Sequence, residues 1–395
     1  MNFAGIIAEY DPFHNGHALQ LQMLRRQGAG TIAVCMSSGA VQRGGVPLLP
    51  EPVRVLAALQ AGADLVVALP APYANAGAEA FAAAGVYLLG ALGCDTLAFG
   101  AETPSAPRLM QMARLLLDGA LQGELRRQLA TGCTFAAARE AAVAALCPGE
   151  AELLREPNNI LGIEYCKAIL QQGSAMTPCP LPRLGAAHGA DAAGRCQGVE
   201  LASASLVRAM VYRDGLAAAA RYLPTPALGE YRAAVRRGEL LSPRRFSTAL
   251  LALLRSKDPG ALARVRGVSE GLENRLQAAI RRAADAEQLY DLLKTKRYPH
   301  ARLRRLALDA AMDVRRDSVP PRPPYLHLLG ARRGALARLK QATLPVSTSL
   351  ARLEAVSPEA ETLSKLHNRF TDFSALCREE TLPMGLAYTW KPVIL

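Results

Sequence analysis

An α/β domain with a parallel sheet over residues 1–205, followed by an all-α C-terminal region over residues 206–395, is the architecture this sequence predicts. Three observations point to it. Short Val/Ile/Leu-rich runs alternate with helix-length segments through the first hundred residues, apolar residues recur at 3 and 4 spacing beyond Leu206, and the charge balance changes between the halves. With 395 residues, the chain exceeds one core of ordinary size, so two or three domains are expected.

The elements follow in order. Residues 3–8 form a short apolar strand, 17–26 a helix, 31–36 a strand, 52–61 a helix, 64–69 a strand, 79–92 a helix and 96–99 a strand. Strands separated by helices of this length pair in parallel through right-handed crossovers, because a parallel neighbour cannot be reached by a tight turn. Their ends at Glu9, Ser37, Pro70 and Gly100 then gather on one sheet edge, where open α/β sheets bind ligands. Helices over 108–117 and 135–146 follow, and residues 181–187 read as a returning strand after the Pro178, Pro180, Pro182 segment. In the second half the pattern predicts helices over 248–254, 272–284, 286–293 and 302–312, with no strand of comparable strength between them. A Pro-rich hinge at residues 319–324 leads to Gly330, a helix-like stretch over 335–342 and a terminal helix over 358–370.

Composition excludes several classes. Half the residues are hydrophobic and evenly spread, which rules out a disordered tail protein, a collagen-like fibre and a disulfide-held miniprotein. The eight cysteines include no C-x-x-C pair and no His at finger spacing, so neither a zinc site nor a disulfide framework is expected, and no metal is assigned. The N-terminus lacks a basic signal region, and the most apolar stretch, residues 76–93, carries Glu79 and several glycines; a cytoplasmic protein with no membrane partner is expected. Residues 1–199 hold 13 Lys/Arg against 15 Asp/Glu, and residues 200–395 hold 33 against 19. A near-neutral half beside a strongly basic one predicts a small-molecule site in the first and a polyanion-facing surface in the second.

The stretch that carries chemistry is Glu9-Tyr10-Asp11-Pro12-Phe13-His14-Asn15-Gly16-His17, directly after the first strand. Two imidazoles at the handover from strand to helix lie beside exposed backbone N–H groups and the positive end of a helix dipole, a setting suited to phosphate. Gly16 leaves room for close approach. Imidazoles there can donate hydrogen bonds to α-phosphate oxygens as charge builds in an in-line displacement. A structural or zinc-binding pair is the plainer alternative, but no third ligand lies near.

His14-Asn15-Gly16-His17 resembles the H-x-G-H signature of nucleotidyltransferases with a Rossmann-like fold. The whole chain resembles the bacterial tRNA(Met) cytidine acetate ligases, through residues 5–17, Gln42-Arg43-Gly44, residues 62–66, Phe99-Gly100-Ala101-Glu102, residues 157–165, residues 269–274 and residues 294–298. The resemblance implies acetate activation by ATP, the ATP being a substrate that carries Mg2+. The acetyl group of the resulting adenylate then passes to N4 of the wobble cytidine of elongator tRNA(Met). It places ATP contacts on Ile7, Ala8, Glu9, Tyr10, Asp11, Pro12, Phe13, His14, Asn15, Gly16, His17, Ala18, Leu19 and Gln20, with Gly100, Asn158 and Arg183, and makes His14 and His17 catalytic. Ser203, Ser205 and Arg208 resemble the Ser-x-Ser/Thr-x-x-Arg element that many nucleotidyltransferases place on the triphosphate, although a plain helix cap explains Ser203 equally well. The family's Asp-Lys-Trp-x-Arg run reads Pro50-Glu51-Pro52-Val53-Arg54 here, keeping the Arg but reversing the charge of the Lys.

Residues 294–305 pack six Lys/Arg, with Tyr298 and His300, into twelve positions. Charge for phosphates and a flat ring for an unstacked base suit single-stranded loop recognition. Lys294, Lys296, Arg297, Tyr298, Arg302 and Arg305 are therefore the expected tRNA contacts, supported by a field that includes Arg237, Arg244 and Arg266. Two other readings remain open at this point: an adenylyltransferase acting on a small phosphorylated metabolite, and a non-catalytic RNA-binding relative.

Overall fold

The computed structural model describes residues 1–183, 193–196, 198–269, 271–295 and 298–395. The first part alternates as the hydrophobic pattern requires: β1 (Phe3–Ala8), α1 (Asn15–Arg26), β2 (Thr31–Ser38), α2 (Glu51–Gln60), β3 (Leu65–Pro70), α3 (Ala78–Leu92) and β4 (Thr96–Ala101). β2 and β3 are buried along their whole length, as strands covered on both faces must be. Helices α4 (Ala106–Leu117), α5 (Gly119–Ala130), α6 (Phe135–Leu146) and α7 (Pro157–Gln172) then lead to β5 (Thr177–Pro182).

The sheet runs β3-β2-β1-β4-β5 in parallel. The order reverses direction between β1 and β4, and the crevice at that reversal is where open α/β sheets place ligands. β5 lies across the Pro178, Pro180, Pro182 segment itself, not after it as expected. Those prolines alternate along an edge strand whose N–H groups at Thr177 and, beyond the strand, Arg183 bond back toward β4. The imide nitrogens, with no proton to donate, face outward where no partner strand needs one. Of the strand expected at 181–187, residues 184–187 lie outside the described residues.

A two-stranded ribbon, β6 (Gly194–Cys196) with β7 (Val199–Leu201), precedes α8 (Ala204–Asp214). The helical part comprises α9 (Leu216–Ala219), α10 (Thr225–Arg236), α11 (Pro243–Arg255), α12 (Pro259–Ala263), α13 (Leu272–Arg282), α14 (Ala286–Leu293) and α15 (His300–Ala311). Its core joins Leu250, Leu276, Leu289 and Leu303 to Phe370.

The C-terminal region is not all-α. After the Pro-rich segment, β8 (Leu326–Ala331) enters the main sheet antiparallel to β3, followed by β9 (Val346–Ser347), α16 (Leu350–Glu354), α17 (Pro358–Leu376), α18 (Leu386–Thr389) and β10 (Val393–Ile394); β9 and β10 pair with β8. β8 is buried on both faces, so it lacks the polar alternation that marks a half-exposed strand. Residues 333–341 wind as a 3-10 helix where an α-helix was expected over 335–342. The Pro-rich segment is tied to the loop between β3 and α3, with the Pro320 carbonyl accepting from the Tyr73 hydroxyl.

Candidate active site

The end of β1 and the start of α1 form the floor of a cavity of about 400 Å³. Between them Tyr10 takes a left-handed backbone conformation, φ 48°, the kind of local strain that surrounding structure must hold in place. His14 is the N-cap of α1. Its Nδ1 accepts the Gly16 N–H at 3.1 Å, and the His17 Nδ1 accepts the His14 N–H at 3.3 Å. This is a capping box made of imidazoles instead of Ser and Glu. The rings stack with centroids 3.7 Å apart. A Cβ on residue 16 would stand 2.9 Å from the His14 ring, so Gly16 is required by the fold of the motif before any ligand arrives.

The capping box fixes the proton positions. A nitrogen that accepts a backbone N–H carries no proton, so each neutral ring holds its proton on Nε2. Burial lowers the His14 pKa to about 3, with help from the positive charges of Arg183 and Arg208; burial, then His14 and Arg183, holds His17 well below its usual range. Both rings are thus neutral Nε2–H donors at a helix N-terminus.

The walls come from several other places in the chain. Arg208, on α8, donates to the Asp11 carbonyl and pairs with the Asp11 carboxylate at 3.2 Å. Its guanidinium also reaches the Ser205 hydroxyl at 3.3 Å, as Arg43 does at 3.4 Å. The Glu9 carboxylate accepts the Gln42 N–H at 2.6 Å, and burial followed by the charge of Asp11 raises its pKa. Opposite, Glu102 organises two expected contacts: Asn158 Nδ2 donates to it at 2.5 Å and Arg183 at 3.2 Å. Burial pushes the Glu102 pKa up, but the bonds from Asn158, the Asn159 N–H and Arg183 hold it below the usual value.

Of the expected nucleotide contacts, Ile7, Ala8, Glu9, Tyr10, Asp11, His14, Gly16, His17, Leu19, Gln20, Gly100, Asn158 and Arg183 line this cavity, as do Ser203, Ser205 and Arg208. Pro12, Phe13, Asn15 and Ala18 do not. The Phe13 carbonyl accepts from Tyr231, and Asn15 donates to the carbonyls of Glu200 and Arg221, each at 2.9 Å, so these two brace the motif from behind. Ser203 is both cavity wall and N-cap of α8, accepting from Leu206 N–H at 3.2 Å. Sequence reasoning gave no role to Gln42, Arg43 or Glu102, although all three lie in segments that carried the family resemblance.

Glu51 and Arg54 stand outside the cavity. Arg54, 1% exposed, donates to the carbonyls of Glu9 at 2.8 Å, Ser37 at 2.9 Å and Leu49 at 3.3 Å, tying the ends of β1 and β2 to the loop before α2. Glu51 is bonded to the Ser38 hydroxyl, and burial raises its pKa. The reversed charge is therefore absorbed in the scaffold beneath the site.

On the basic side, Lys294 is exposed at the end of α14, and the Arg302 guanidinium lies 4.3 Å over the Tyr298 ring. Lys296 and Arg297 lie outside the described residues. Arg305 turns inward to donate to the Gln42 carbonyl at 3.0 Å, and burial lowers its pKa. Arg266 likewise bonds Asp309 beneath the helical part, and Arg237 is paired with Glu230 and Glu239. Arg305 and Arg266 join elements together and Arg237 is tied to the end of its own helix, so the exposed field is smaller than the arginine count suggests.

Similarity to known proteins agrees with this geometry. The family described as HIGH nucleotidyl transferase matches residues 1–383. A tRNA(Met) cytidine acetate ligase of Thermoanaerobacter sp. (strain X514) is 34% identical over 89% of each chain. One from Syntrophotalea carbinolica is 36% identical over 89% of this chain and 86% of its own. The crystal structure of Thermotoga maritima TmcAL bound with alpha-thio ATP superposes over 100% of both chains with a TM-score of 0.91 at 25% identity. With two donor imidazoles at the sheet's reversal point and relatives of this similarity along nearly its whole length, the chain belongs to the HIGH nucleotidyl transferases and, among them, to the tRNA(Met) cytidine acetate ligase family.

Proposed function

We propose that this chain is an ATP-dependent ligase that acetylates N4 of the wobble cytidine of elongator tRNA(Met). An acetate oxygen attacks the α-phosphorus of ATP and pyrophosphate leaves; the cytidine amine then attacks the acetyl carbonyl, AMP leaves and the amine loses a proton. The observation that carries the reading is the pair of Nε2–H donors set by the capping box. With Nδ1 of each ring occupied by a backbone N–H, the proton stands on Nε2 and is aimed as a preorganised donor at the charge that develops on the α-phosphate. Arg43, Arg183 and Arg208 supply positive charge around them, with Ser203 and Ser205 as hydroxyl donors.

The sheet domain together with α8, which carries Arg208 to the nucleotide cavity, then forms the activating unit and the later helices the RNA-facing one, with β8 and β10 returning to complete the sheet. Lys294, Tyr298 and Arg302 are the RNA contacts we assign among the described residues. Mg2+ would accompany the triphosphate; among the described residues no three His, Cys, Asp or Glu side chains gather as a metal site. No helix among them is long and apolar enough to cross a membrane, and we place the reaction in the cytoplasm. The test is mass analysis of tRNA(Met) nucleosides after incubation with ATP and labelled acetate. Labelled N4-acetylcytidine is expected; its absence, with an intact nucleotide-binding signal, would leave only a nucleotidyltransferase acting on another acceptor.

A further inference from the structure

A second cavity, about 680 Å³, lies between the sheet domain and the helical part. It shares Glu9, Asp11, Arg43, Ser205 and Arg208 with the wall of the nucleotide cavity, so one row of polar side chains faces both spaces. Its volume falls within the roughly 300–1,000 Å³ typical of small-ligand sites. The far wall holds Tyr290, which is 1% exposed and whose hydroxyl has no hydrogen-bond partner. A buried hydroxyl left unpaired costs stability unless a ligand completes it. The guanidinium carbon of Arg304 lies 5.0 Å over the Tyr290 ring, and its Nε is also buried without a partner. At the rim Arg244 is exposed and makes no ion pair or hydrogen bond among the described residues, and Tyr212 keeps 42% of its surface open.

These features have one common use. We infer that the second cavity is the acceptor pocket, taking a single unstacked pyrimidine nucleoside of an RNA loop and presenting its exocyclic amine to the nucleotide cavity through the shared Glu9 and Asp11 wall. This rests on the ligase reading and adds where the acceptor sits. One Glu9 oxygen is engaged by the Gln42 N–H, while the other takes no hydrogen bond from the described residues, so it is available to accept from an amine. The Tyr290 hydroxyl meets the polar edge of the base, aromatic surface covers its face, and Arg244 meets a flanking phosphate.

The test separates the two half-reactions in the full chain. Thr248 is exposed and lines this cavity but not the nucleotide one, so Thr248→Trp fills the acceptor pocket alone. Acetate-dependent exchange of labelled pyrophosphate into ATP should stay within about twofold. Acetyl transfer to an RNA hairpin with one unpaired loop cytidine should lose about tenfold or more in kcat/KM, the scale of one displaced base contact. Transfer at the wild-type value, or equal loss of both reactions, overturns the pocket assignment. If the melting temperature of Thr248→Trp falls, the same comparison with Arg244→Glu decides, with a transfer loss of about fivefold or more expected from one phosphate contact. Failure of the wild-type protein to exchange or transfer at all would instead refute the ligase reading.

Discussion

At His14 and His17 the unusual fact is that imidazoles do the work of helix-capping side chains, and that this work dictates their chemistry. Since each Nδ1 is occupied by a backbone N–H, the rings cannot act as bases through that atom and are left as Nε2 donors. With the His14 pKa near 3 and His17 held well below its usual range by burial, neither of these two rings changes charge in the neutral range. The kcat/KM for ATP in pyrophosphate exchange, which reports free-enzyme ionisations, should therefore show no limb near 6.5 from these rings. An acidic limb there that disappears in His14→Asn would contradict this. Arg54 makes the complementary point about the scaffold. Its guanidinium is buried and donates to three carbonyls, so Arg54→Ala leaves three buried acceptors without this donor. A loss of about 3 kcal/mol or more in urea unfolding is expected, since each buried acceptor left unpaired costs roughly 1–3 kcal/mol.

Among the elements, the segment Gln42-Arg43-Gly44 links the two halves. Gly44 has φ 81°, and a Cβ there would lie 2.5 Å from the Arg304 carbonyl carbon and the Arg305 nitrogen in the middle of α15. Gly44→Ala thus combines a left-handed alanine with a clash against helix backbone, expected to cost about 2–4 kcal/mol in the same unfolding measurement. Unchanged stability would mean that this contact does not hold the halves together. The sequence made β1 to β4 legible because apolar runs alternate with helices of regular length. β5 was displaced because prolines read as loop unless an edge strand is foreseen, and β8 was missed because a short Leu-rich run holding one His and one Gly after a Pro cluster has no clear period of its own. Nor does any local pattern reveal that a strand near residue 328 pairs with one near residue 66. The same limit applied to the site. His14, His17 and Gly16 were readable from spacing and helix-start physics, whereas Glu102 acquires meaning only when Asn158 and Arg183 are brought to it from distant segments.

For the molecule as a whole, the division of charge predicts a division of salt sensitivity. The second half carries 33 Lys/Arg against 19 Asp/Glu, although Arg237, Arg266 and Arg305 are engaged within the protein. Raising salt from 50 to 200 mM should weaken the apparent affinity for tRNA by about tenfold or more, as counterion release from several phosphate contacts requires. Pyrophosphate exchange, which needs no RNA, should change far less, and equal salt dependence of both would refute the division. The activation step itself is most directly examined by acetate-dependent exchange of labelled pyrophosphate in wild type and in His17→Ala. Removing one preorganised donor should lower exchange by about 10²-fold or more, while folding loses only about 1 kcal/mol from the broken capping box. Exchange at the wild-type rate in a folded His17→Ala protein would contradict the role given to the imidazole pair.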